Sequence, residues 1–100
     1  ALAQTSPKRI QAIPNVPTMA ELGFPDLTTS LWWGVFAPRN TPKPIVNTLN
    51  KHINESLLNP ADKQWAIEQT LDIHNQTPEE FCAFVEREKA KWHAVGKKYF

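Results

Sequence analysis

The sequence predicts an α/β fold in which helices dominate, on three observations. Two long amphipathic runs, near residues 41–58 and 77–99, each open on a helix-start signal. A run of β-formers at Thr28–Ala37 (Thr28, Thr29, Trp32, Trp33, Val35, Phe36) reads as a strand. Its apolar residues do not alternate, the pattern of a strand covered on both faces in an α/β sheet. The rest of the chain offers almost no partner for that strand, which points to a sheet whose other strands lie on polypeptide outside this sequence.

Taken in order, Ala1–Thr5 reads as the end of a strand. Ser6 to Pro17 carries three prolines and no periodicity, the mark of an extended loop. Thr18-Met-Ala-Glu21 fits a capping box, and Gly23 is a suitable stop for the one-turn helix it opens. Pro25-Asp26 forms a turn, and Gly34 inside the following strand suggests a bulge or close backbone approach. Thr41 is a fitting N-cap with Pro42 at the first helical position. The helix that follows shows an apolar stripe of Ile45, Val46, Leu49, Ile53 and Leu57 at the helical period. Asn59-Pro60 ends it and starts a short helix through Gln69, with Trp65 on its buried side. Leu71-Asp-Ile73 is a possible short strand. Thr77-Pro-Glu-Glu80 is the clearest capping box, and the last helix carries Phe81, Phe84, Val85, Glu88, Trp92, Val95 and Tyr99 on one stripe.

Composition narrows the function. The chain has 100 residues, 41% hydrophobic and 21% charged, so it holds one small folded region rather than a disordered tract. A net charge of +1 argues against nucleic acid as the main partner. The one basic cluster, Lys89, Lys91, Lys97 and Lys98, suits a solvated helix end. The single cysteine, Cys82 between Phe81 and Phe84, reads as a small buried hydrophobe. No apolar run reaches the roughly 20 residues that span a bilayer. The sequence opens on Ala rather than Met and lacks a basic leader, so it reads as a processed product or a piece of a longer chain.

Catalytic chemistry finds no support. His52, His74 and His93 lack metal-ligand spacing, Glu79-Glu80 is explained by capping, and the serines have no nucleophile-elbow context. The three glycines make no phosphate loop, and neither metal nor cofactor is implied. Trp32-Trp33 is the most unusual dipeptide. On a strand the two indoles point to opposite faces, so one at most enters a given pocket; both being core is the plainer alternative to one lining a ligand cleft.

Four segments resemble one family. Pro14-Asn-Val-Pro17-Thr18-Met-Ala-Glu21-Leu-Gly23 is similar to the PDVPTVAEAG segment of the Bug receptors of tripartite tricarboxylate transporters. Trp33-Gly34-Val-Phe36-Ala37-Pro38, ending at Thr41-Pro42, resembles their WYGLFAP…TP segment, with Trp32-Trp33 departing from the usual Trp-Tyr. Thr77-Pro-Glu-Glu80-Phe81 with Glu88 and Lys91-Trp92 resembles their C-terminal helix, and Leu2-Ala-Gln-Thr5-Ser6 with Lys8-Arg9 resembles LAVTSAKR. The resemblance implies the C-terminal portion of a two-lobed type II periplasmic-binding-protein fold. Residues 1–27 would be the end of the second lobe and a connecting segment, and residues 28–100 the crossover strand and helices completing the first lobe. It implies a periplasmic, non-enzymatic receptor that captures a small organic anion of carboxylate type and delivers it to membrane permease subunits. Thr5, Ser6, Trp32 and Trp33 are the ligand-binding candidates. Alone, such a piece is expected to self-associate through exposed apolar surface. The rival reading is a stand-alone helical protein–protein interaction domain.

Overall fold

The computed structural model describes residues 1–100. Three α-helices form: α1 Lys43–Leu57, α2 Pro60–Glu68 and α3 Pro78–Tyr99, preceded by one 3-10 turn at Pro25–Leu27. The chain divides into two compact units, one of residues 1–37 and 59–73, the other of residues 38–58 and 74–100.

In the first unit the N-terminal residues are held by Gln4. Its backbone N–H donates to the Pro17 carbonyl at 2.9 Å and its carbonyl accepts from the Met19 N–H at 2.8 Å, an isolated parallel bridge to Thr18. The expected strand at Ala1–Thr5 is reduced to that bridge. The Thr18 capping box forms as the spacing dictates: Thr18 Oγ1 accepts from the Glu21 N–H, and Glu21 Oε2 accepts from the Thr18 N–H at 2.7 Å. The Phe24 N–H then donates to the Met19 carbonyl, and the Gly23 N–H to that of Ala20, with Gly23 at φ 91°. This is a Schellman closure on the residue that reaches the left-handed region without strain.

Residues 28–37 do not form the expected ladder. They run without helix, turn or bend; the Thr28 N–H donates to the Pro25 carbonyl at 3.1 Å and the Thr29 N–H to the Thr5 carbonyl at 2.9 Å. A strand is defined by a neighbour, and these 100 residues supply none, so β-propensity alone does not produce a sheet. Leu71–Ile73 likewise has no ladder. Helix α2 starts where Asn59-Pro60 predicts, with Asn59 Oδ1 accepting from the Ala61 N–H. The expected burial of Trp65 is overturned: Ala66 is buried at 3% exposure while Trp65 stands 57% exposed, because the inward direction falls one residue later.

In the second unit α1 and α3 pack together. Helix α1 begins at Lys43 with Pro42 in the cap position, not with Thr41 as cap. The Thr41 hydroxyl donates instead to the Pro38 carbonyl at 2.7 Å, and Pro44 in the first turn has no N–H that needs a cap. The half-buried stripe of α1 is Val46, Asn50, Ile53, Asn54 and Leu57. Ile45 and Leu49, expected to face inward, stand half exposed. Two amides rotate the stripe: Asn50 and Asn54 Nδ2 both donate to the Gln76 carbonyl, at 2.9 and 3.1 Å, and Asn75 Nδ2 returns a bond to the Asn54 carbonyl. These bonds fix the entrance to α3, which the Thr77–Glu80 capping box then closes in both directions. A cap of this kind contributes about 1 kcal/mol. On α3 the half-buried stripe includes Phe81, Phe84, Val85, Glu88 and Val95, whereas Trp92 and Tyr99 are exposed. Cys82 is exposed rather than buried, one position off that stripe.

Candidate ligand-binding site

The predicted site residues all fall in the first unit. The Thr29–Thr5 backbone bond, 2.9 Å long, ties the run that carries Trp32 and Trp33 to the Thr5-Ser6 corner. Thr5 is exposed. Ser6 is half-buried, and its hydroxyl donates to Gln4 Oε1 at 2.9 Å. Trp32 is half-buried and engaged with the fold, whereas Trp33 is 71% exposed. Nothing in the geometry assigns these four residues a ligand; it establishes that the loop behind them is held firmly.

Gln4, which the sequence did not single out, organises that loop. The side chain is 8% exposed in total with its backbone, and each of its polar atoms is used. Nε2 donates to the Val16 carbonyl at 2.6 Å and to that of Ile13 at 3.4 Å; Oε1 accepts from the Ile10 N–H and the Ser6 hydroxyl, both at 2.9 Å. An amide can bind donors and acceptors of a loop at the same time, which neither a carboxylate nor an ammonium can do. Arg9 and Glu21 clamp the outer side. The guanidinium reaches Glu21 Oε1 from Nη2 at 2.8 Å and both carboxylate oxygens from Nε, while Nη1 donates to the Pro14 carbonyl. The Arg9 bond, then the Thr18 N–H, hold the Glu21 carboxyl down from 4.5 to about 2, and the same bond raises Arg9.

In the second unit an open groove on α1 is lined by Pro44, Ile45, Thr48 and Leu49. Its only side-chain hydroxyl, that of Thr48, donates to the Pro44 carbonyl, so the groove presents little to an anion. Glu79, held low by its own N–H and by Lys43 at 3.3 Å, is an exposed helix-start charge. No three His, Cys, Asp or Glu side chains come together as metal ligands, and no helix is long and apolar enough to cross a membrane.

Against known proteins, a family described as the tripartite tricarboxylate transporter family receptor matches residues 1–99. The chain is 39% identical over 98 residues to Protein BugT of Bordetella pertussis, covering 98% of this chain and 30% of that protein. It is 35% identical over 101 residues to a UPF0065 protein in the tcbD-tcbE intergenic region of a Pseudomonas species, covering 99% of this chain and 30% of the other. A UPF0065 protein in the TAR-I ttuE-ttuC' intergenic region of Agrobacterium vitis is 38% identical over 60 residues, 60% of this chain and 17% of that protein. The class these matches define is a transport receptor, not an enzyme. The chain belongs to the tripartite tricarboxylate transporter receptor family, and it spans about 30% of the length of the first two relatives.

Proposed function

We propose that the intact protein is a periplasmic solute-binding receptor that captures a small organic anion of carboxylate type and delivers it to the permease subunits of a tripartite membrane transporter. The observation that carries this is the family match along residues 1–99, so the motifs are in register from one end of the chain to the other. These residues supply the C-terminal portion of a two-lobed receptor, with residues 1–27 ending the second lobe and residues 28–100 returning to the first. Thr5, Ser6 and one of Trp32 or Trp33 contribute a hydroxyl corner and an aromatic wall to the cleft, with backbone N–H groups neutralising the anion.

The structural support is local. A ligand corner must be pre-organised, and Gln4 with the Arg9–Glu21 pair fixes the loop behind Thr5-Ser6 through eight side-chain hydrogen bonds. Thermal-shift screening of the intact receptor against dicarboxylates, tricarboxylates, amino acids and nicotinate-like anions tests it. Binding to the folded state alone raises the melting temperature by mass action, so at least one carboxylate must shift it. A flat response across the panel would sink the assignment.

A further inference from the structure

Gln4 fixes more than the loop around it, because both ends of its amide meet partners of fixed polarity. Nε2 lies 2.6 Å from the Val16 carbonyl and 3.4 Å from that of Ile13, and a carbonyl can only accept. Oε1 lies 2.9 Å from the Ile10 N–H, which can only donate. The amide therefore has one orientation, with its oxygen turned to Ser6. That oxygen carries no proton, so across the 2.9 Å between them the Ser6 hydroxyl is the donor.

The consequence falls on Ser6. A serine hydroxyl has one proton and two lone pairs. With the proton committed to Gln4, what Ser6 offers to any other group is an acceptor. A carboxylate oxygen is an acceptor too. To bind one, the hydroxyl has to turn away from Gln4, a residue only 8% exposed, so the bond gained is offset by the bond lost. Thr5 differs. It is exposed and bonds the Thr29 N–H through its backbone carbonyl, which leaves its hydroxyl to donate outward. The LAVTSAKR segment that this stretch resembles has valine where Gln4 stands, and a valine side chain cannot take the Ser6 proton. The acceptor character of Ser6 is thus conferred by this chain's own glutamine.

Resting on the receptor reading, we propose that Ser6 is a specificity-determining residue whose hydroxyl accepts a hydrogen bond from the ligand, with Gln4 as the positioning residue that makes it an acceptor. The ligand is then a carboxylate that also carries a donor, a hydroxyl or ammonium group, on its carbon chain. The donor meets Ser6 Oγ, and a carboxylate oxygen meets the Thr5 hydroxyl. Plain carboxylates of the same length bind more weakly at this corner.

Dissociation constants of the intact receptor for matched carboxylates test this. Succinate, malate and aspartate differ in one group on one carbon, which is hydrogen, hydroxyl or ammonium; tricarballylate and citrate differ by one hydroxyl. Within the series that binds, the substituted ligand should be about tenfold tighter than the plain one, the worth of one hydrogen bond. Malate against aspartate tells which donor is used. Ser6→Ala should bring that ratio close to one by weakening the substituted ligand. Gln4→Val should lower it as well, by freeing the Ser6 proton for the plain ligand. Where Gln4→Val fails to fold, Ser6→Ala, which removes a single hydroxyl, decides. A plain carboxylate as tight as its substituted partner, or a preference that survives Ser6→Ala, overturns the inference and leaves the receptor standing. So does a tightest ligand with no donor, such as nicotinate. A panel in which no carboxylate binds removes the receptor reading and this inference with it.

Discussion

At the scale of single residues, Gln4 and Glu21 carry more than their exposure suggests. Replacing Gln4 with Leu strands the Ile10 N–H and the Ile13 and Val16 carbonyls at a nearly closed position. The expected cost is about 1–3 kcal/mol, seen as a lower urea midpoint with the denaturant slope unchanged. Glu would serve no better, since it has no donor for the two carbonyls. Glu21 gives a pH signature. Its carboxyl is depressed in the fold from 4.5 to about 2, so the stability it contributes is fully present above its ordinary value. That stability is lost as pH falls from about 4.5 through about 2. A carbon-detected NMR titration should place the Glu21 midpoint near 2 in the wild type and near its ordinary value in Arg9→Ala. The roles of Gln4 and Arg9 were not legible beforehand. Thr18 and Glu21 were, because a capping box is spelled by spacing alone. Gln4 and Arg9 find partners 12 residues away, across a proline-rich loop that gives no periodic signal.

At the scale of secondary structure, what is local was readable and what is long-range was not. All three helices lie where the start and stop signals put them, within a residue or two. The strand at 28–37 was a propensity that no ladder realises. The inward face of α1 was misjudged because Asn50 and Asn54 look like solvent residues until the Gln76 carbonyl, 26 and 22 positions on, is seen to receive them. The end of α2, expected at Gln69 and found at Glu68, closes without a glycine. The Leu71 N–H bonds to the Ala66 carbonyl and the Thr70 N–H to that of Ile67, a Schellman closure, yet the left-handed position is filled by Thr70 at φ 59°. A β-branched residue is strained there, where Gly23 at the equivalent place is not. Thr70→Gly should therefore stabilise the chain by about 1 kcal/mol, read as a raised melting temperature. Destabilisation would mean the methyl and hydroxyl earn contacts that outweigh the backbone strain.

At the scale of the whole molecule, the four motif segments proved more informative than their fold. Family membership followed from their order along the sequence. The site residues did not follow: the geometry assigns Thr5, Ser6, Trp32 and Trp33 no ligand, and the chain covers 30% of the length of its first two relatives. The exposure of Trp33, Trp65 and Trp92, each more than half open to solvent, has a practical consequence. Indole emission reports the polarity around the ring. The isolated chain should fluoresce at the red end of the tryptophan range and be quenched readily by acrylamide. Any surface that closed over Trp33 would move the emission to the blue and deny the quencher access. The molecule thus carries its own optical gauge of whether another surface covers these rings, with no label attached.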